Sequence, residues 1–118
     1  MADPIDRAAL GELIEMTGGD RAFLADLIDT FSTDAAGMIA ELEAAVSSGD
    51  DAAMLRPAHS LKSNAASFGA HRLAELCRAV EHDAREGGVP DAAARVAAIR
   101  DELVAVERAL QAERGPTA

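Results

Sequence analysis

Apolar positions recur along nearly the whole chain at steps of three and four, with charged and small residues between them. That spacing marks helices with one buried side. The sharpest stripe is Met54, Ala58, Leu61, Ala65 and Phe68. At 100° per residue from Met54, these five fall between about −40° and +40°. On the same wheel His59 lies near 140°, facing away from the stripe, and Lys62 near 80°, on its flank. Gly69 is placed to close this helix.

The other segments read the same way. Ile5 to Met16 predicts a short helix with Asp6 as N-cap, Leu10, Leu13 and Ile14 inward, and Gly18-Gly19 as its end. Such a helix is marginal unless it docks on something larger. Asp20 caps a long helix from about Arg21 to Val46, with Leu24, Leu27, Ile28, Phe31, Ala35, Met38, Leu42 and Ala45 as its stripe. Ser47-Ser48-Gly49 ends it. Asp50 or Asp51 opens the third helix. Pro57 inside it removes a backbone hydrogen bond, so a kink is expected just before His59. The alternative is a helix proper that begins near Pro57, with the proline in its first turn. Ala70 to Glu86 is the fourth helix, with Leu73, Leu76, Cys77, Val80 and Ala84 inward. Gly87-Gly88-Val89-Pro90 breaks the chain, and Asp91 caps a fifth helix to about Glu113. Its seam is Ala92, Val96, Ile99, Leu103, Val106 and Leu110. Residues 115–118 are expected to fray.

Short connections make sequential helices antiparallel, so the expected fold is all-α: an up-down-up-down four-helix bundle with a short additional N-terminal helix. Residues 1–118 form one domain, without internal repeats. A turn at Gly69-Ala70 brings residues equidistant from it level with one another, which sets Glu81 beside His59 and close to Lys62. Glu81 lies on a flank of its own helix. It is a candidate to accept a hydrogen bond from one ring nitrogen of His59, or to pair with Lys62.

Composition adds limits. A core of Ala, Leu, Ile and Val with three Phe and no Trp or Tyr suits packed helices. Cys77 is the single cysteine, so no internal disulfide forms, and its place in the stripe makes it a buried structural thiol. No stretch approaches the length of a membrane span and the N-terminus lacks a targeting pattern, so a cytoplasmic, monomeric protein without membrane contact is expected. The net charge of −10 is uneven: residues 1–50 carry −9, Asp51 adds −1, residues 56–78 carry +3 and residues 79–118 carry −3. Arg56, Lys62, Arg72 and Arg78 thus make a positive island around His59. The chain as a whole repels nucleic acid, while the island invites an anion or an acidic patch on a partner.

An exposed imidazole with a cation one turn on has a chemical reading. Neutral imidazole is a nucleophile near pH 7, and attack on a phosphoryl group would set a dianion beside Lys62. One such contact is worth about 4 kcal/mol at about 4 Å and an effective dielectric near 20, before desolvation. Ser63, one turn past His59, is a candidate hydroxyl donor to the phosphate. Leu55, Ser63 and Ala66 surround His59 without bulk, so another protein can approach; Leu55, Arg56 and Ala66 are candidate partner contacts. The plain alternative is an ordinary solvent-facing histidine of an amphipathic helix, and the competing function is a helical adaptor that binds partners through the same face without phosphorylation. His59, His71 and His82 lack the paired spacing of a metal site, so no metal is expected. No phosphate-cradling Gly-rich loop is present, which argues against phosphorylation from ATP.

Ala58-His59-Ser60-Leu61-Lys62-Ser63, followed by Gly69-Ala70, Leu73, Leu76-Cys77 and Glu81, closely resembles the histidine-containing phosphotransfer (HPt) family. The five-helix layout extends the resemblance over nearly the whole chain. It implies that His59 accepts a phosphoryl group from a receiver-domain aspartate and passes it to another receiver, with Lys62 as the phosphate's electrostatic partner. It further implies response-regulator receiver domains and a hybrid histidine kinase as partners. The chain would be a phosphocarrier rather than a kinase, with no cofactor of its own, since Mg2+ would sit in the receiver. Ser63 departs from the pattern, where many members carry Gly, and at Glu81 some members carry an amide.

Overall fold

The computed structural model describes residues 3–114. Five α-helices run α1 (Arg7–Met16), α2 (Arg21–Ser48), α3 (Leu55–Ser67), α4 (His71–Arg85) and α5 (Ala92–Arg114), with a 3-10 turn at Asp51–Met54 leading into α3. No strand occurs among the described residues, so the all-α expectation holds. The expected fray at residues 115–118 lies outside them.

Helices α1 and α2 and the 3-10 turn begin where an aspartate can satisfy free backbone N–H groups, whereas α3 and α4 open without a side-chain cap. Asp6 accepts from Ala8 and Ala9, Asp20 from Phe23, and Asp50 from Ala53 at the 3-10 turn. Asp51 does something else. Its Oδ2 accepts the Val89 N–H at 2.9 Å and ties the 3-10 turn to the α4–α5 loop. Because α3 proper starts at Leu55, Pro57 falls in its first turn, where no N–H is needed. The kink expected inside a longer helix is therefore replaced by a junction of 3-10 and α turns. Asp91 adopts a left-handed φ of 54°, and its carbonyl accepts the Arg95 N–H at 3.0 Å.

Helix α2 packs on α3 and α5, and α4 packs on the same two. Ion pairs fix the relative directions. Asp29 pairs with Arg114 and Glu43 with Arg100, so α2 and α5 run antiparallel. Arg72 with Glu102, and Asp83 with Arg95, set α4 antiparallel to α5. Inside, Met54, Ala58, Leu61, Ala65 and Phe68 are all buried, as their spacing predicts, and Phe31 meets Phe68 with ring centroids 5.1 Å apart. Burial of each large apolar side chain contributes about 1.5–3 kcal/mol.

Some stripe positions shift. In α2, Ile39 is buried, while Leu27 and Met38 are half-buried, because the neighbours on either side rotate the covered face over a helix this long. In α4, Leu76 is half-buried and Glu81 takes a buried position.

Helix α1 docks on the turn between α3 and α4. Gly69 there has φ 74°, its carbonyl accepts the Asp6 N–H at 2.8 Å, and a Cβ on it would lie 2.9 Å from the Ala9 Cβ. Ile5 and Leu10 are buried at this junction, which is how so short a helix is held.

Candidate functional site

Helix α3 exposes one face beside α4, and His59 stands on it with 57% of its side chain accessible. The same stripe that buries Ala58 and Leu61 on one side directs His59 outward on the other. Glu81 rises from α4 to meet it. Its Oε2 lies 2.7 Å from His59 Nδ1, and its Oε1 accepts a hydrogen bond from Lys62 Nζ at 2.6 Å. The two roles considered for Glu81 are thus filled together, one by each carboxylate oxygen.

Glu81 is not a flank residue in the folded protein. It is 3% exposed, covered by the α3 side chains that it binds. Helix-wheel angles alone place it on the edge of the stripe. Close packing of α3 on α4 closes that edge. The Lys62 hydrogen bond, helped by His59 and opposed by burial, lowers its pKa to about 2. Glu81 is therefore ionised and can only accept. His59 Nδ1 must then carry the proton of the neutral ring, which leaves Nε2 with its lone pair facing outward. No hydrogen-bond partner holds Nε2 among the described residues.

A fourth residue joins the site. Arg85 donates from Nη2 to Glu81 Oε2 at 3.2 Å. Its sequence signal is the spacing alone, since a base four residues after an acid pairs with it along one face of a helix.

The remaining candidates are spread across the outward face. Arg56, Ser63 and Ala66 are exposed and Leu55 is half-buried. The Ser63 carbonyl accepts from Ser67 Oγ at 3.1 Å. The positive island is partly answered from within: Arg72 pairs with Glu102, and Arg78 with Glu75. Arg56 has no ion pair among the described residues and keeps its charge for the surroundings. Cys77 is fully buried one turn below Glu81, and burial, with the Glu81 charge adding to it, pushes its thiol up to about 12. It is inert at neutral pH. Gly69 is structural, as described above.

Among the described residues, no group of three or more His, Cys, Asp or Glu side chains is arranged to hold a metal ion. No helix among them is long and apolar enough to cross a membrane.

The model of the Hpt domain matches residues 26–109 of the chain. The chain belongs to the Hpt-domain family. The matched region runs from α2 into α5 and contains the whole His59–Lys62–Glu81–Arg85 constellation. The crystal structure of histidine-containing phosphotransfer protein B (HptB) from Pseudomonas aeruginosa PAO1 is similar throughout: TM-score 0.87 and 31% identity, covering 97% of this chain and 96% of that one. Among curated protein sequences none matches the chain. Membership assigns this Hpt protein a histidine phosphotransfer role in a phosphorelay.

Proposed function

We propose that His59 is the phosphoryl acceptor, taking the group from a receiver-domain aspartate and handing it to a second receiver. The observation that carries this reading is the Glu81 carboxylate at 2.7 Å from Nδ1 of an otherwise exposed ring. It presents Nε2 as the nucleophile. The Nε2 lone pair attacks phosphorus, the N–P bond forms, and the P–O bond to the aspartate breaks. The electron pair leaves with the aspartate as a carboxylate. The proton on Nδ1 stays on the ring, where Glu81 balances the positive charge that the ring acquires. Return transfer runs the same steps backwards onto the next receiver's carboxylate.

Lys62 is the residue on this chain that neutralises the incoming phosphoryl oxygens, one helical turn from His59. Ser63 adds a hydroxyl on the same face. The divalent cation that phosphoryl transfer needs belongs to the receiver, beside its own acidic pocket. That pocket's negative charge is matched by Arg56 and Lys62 on this face, with Leu55 and Ala66 allowing close approach. The protein is then a stoichiometric phosphocarrier rather than a kinase.

The test is to mix the protein with a phosphorylated receiver and to measure acid-labile phosphate on it. Wild type should take up phosphate, and His59→Gln should take up none. Equal uptake by the two proteins refutes the assignment.

A further inference from the structure

Glu81 holds a single negative charge, yet three donors converge on it: Lys62 at Oε1, and both His59 and Arg85 at Oε2. These are its ion-pair partners among the described residues, and no charged group from α5 or the 3-10 turn reaches it. Lys62 and His59 take one oxygen each, and Arg85 shares Oε2 as a third donor.

On the reading above, Lys62 has two demands that compete. Its ammonium lies 2.6 Å from Glu81 Oε1, and a phosphoryl group arriving at Nε2 draws the same ammonium towards itself. If Lys62 turns to the phosphate, a carboxylate that is 3% exposed loses its nearest full cation. A buried charge stripped of a partner is costly, and that cost would resist the transfer.

Arg85 is placed to offset it. It stands one turn after Glu81 on α4, and its 3.2 Å contact with Oε2 is long enough to tighten. A guanidinium has further N–H groups that can reach Oε1 in a two-pronged pair. Its side chain is 62% exposed and pairs with no other carboxylate among the described residues, so it can shift without breaking another contact.

We propose that Arg85 is a positioning residue for phosphoryl transfer: it takes over Glu81 as Lys62 turns to the phosphoryl group. This rests on His59 being the acceptor. It adds a residue that acts through Glu81 and never touches the phosphate.

The test measures the rate of phosphoryl uptake from a phosphorylated receiver at varied receiver concentration. Arg85→Ala should slow uptake at saturating receiver by about fivefold, and Arg85→Lys by about twofold, the scale of one ion pair. The receiver concentration giving half-maximal rate should not change. Against a Glu81→Gln background there is no charge left to cover, so adding Arg85→Ala should alter the rate by less than about twofold. Arg85→Gln carries the same test if alanine disturbs α4. A full rate in Arg85→Ala overturns the proposal. So does an equal loss in the Glu81→Gln background, or a loss confined to the receiver-concentration dependence, which would make Arg85 a docking contact. If wild type itself takes up no phosphate, the His59 assignment falls and this proposal with it. If wild type is active and only the Arg85 results fail, His59 stands.

Discussion

Glu81 reaches across from α4 to place Oε2 2.7 Å from Nδ1 of His59, a residue 22 positions earlier on α3. An ionised carboxylate at that nitrogen leaves one tautomer for the neutral ring, and so one nitrogen for chemistry.

The phosphoryl group should therefore be found on Nε2. Nitrogen-15 and phosphorus-31 NMR of the phosphorylated protein distinguish the two ring positions. Phosphate on Nδ1 would contradict the geometry, because Glu81 occupies that side. In Glu81→Ala the preference for one nitrogen should weaken, and uptake should slow.

Lys62→Ala should slow transfer by about tenfold, the loss of roughly one charge contact to the phosphoryl oxygens. Helix content by circular dichroism should stay at the wild-type level, since Arg85 and His59 still hold Glu81. An unchanged rate would remove Lys62 from the transfer step.

The Glu81 network also sets a pH dependence of stability. A carboxyl group ordinarily near 4.5 is lowered to about 2 in the folded protein. The folded state thus binds its proton more weakly than the unfolded state does, and the stabilisation is fully present above about pH 4.5. It is lost as pH falls through the window down to about 2. Thermal melts of wild type and Glu81→Gln should differ most above that window and converge below it. A constant difference would show that the charge is not what stabilises the pair.

Gly69→Ala should destabilise the protein by about 2 kcal/mol, from the positive φ and from crowding of the new methyl against Ala9 and Asp6. That corresponds to a fall in Tm of roughly 8 °C. Early amide-exchange protection should be lost first in α1, which is seated on this turn.

Ala66→Trp puts bulk on the exposed outward face of α3, one side of the open approach to His59. The expected outcome is a higher receiver concentration for half-maximal uptake with an unchanged melting curve. Normal concentration dependence would move the docking surface elsewhere.

Local and periodic features of this protein were legible along the chain. Caps at Asp6 and Asp20, the α3 stripe and the outward direction of His59 follow from rules that act within one or two turns. Counting from Gly69 even brought Glu81 level with His59, because a tight turn leaves little freedom in register. What chain order could not supply was depth and partnership. Whether Glu81 is a flank residue or a buried one depends on how closely α3 packs on α4, and Ile39 rather than Met38 is in the core because of the helices that flank α2. The convergence of Lys62, His59 and Arg85 on one carboxylate joins residues of two helices, and the docking of α1 on Gly69 joins segments far apart in the chain. Sequence by itself determined which segments form helices and the outward direction of His59, since those follow from periodicity. Only the tertiary structure decided which charges meet, because side-chain distances across helices are set by packing rather than by spacing along the chain.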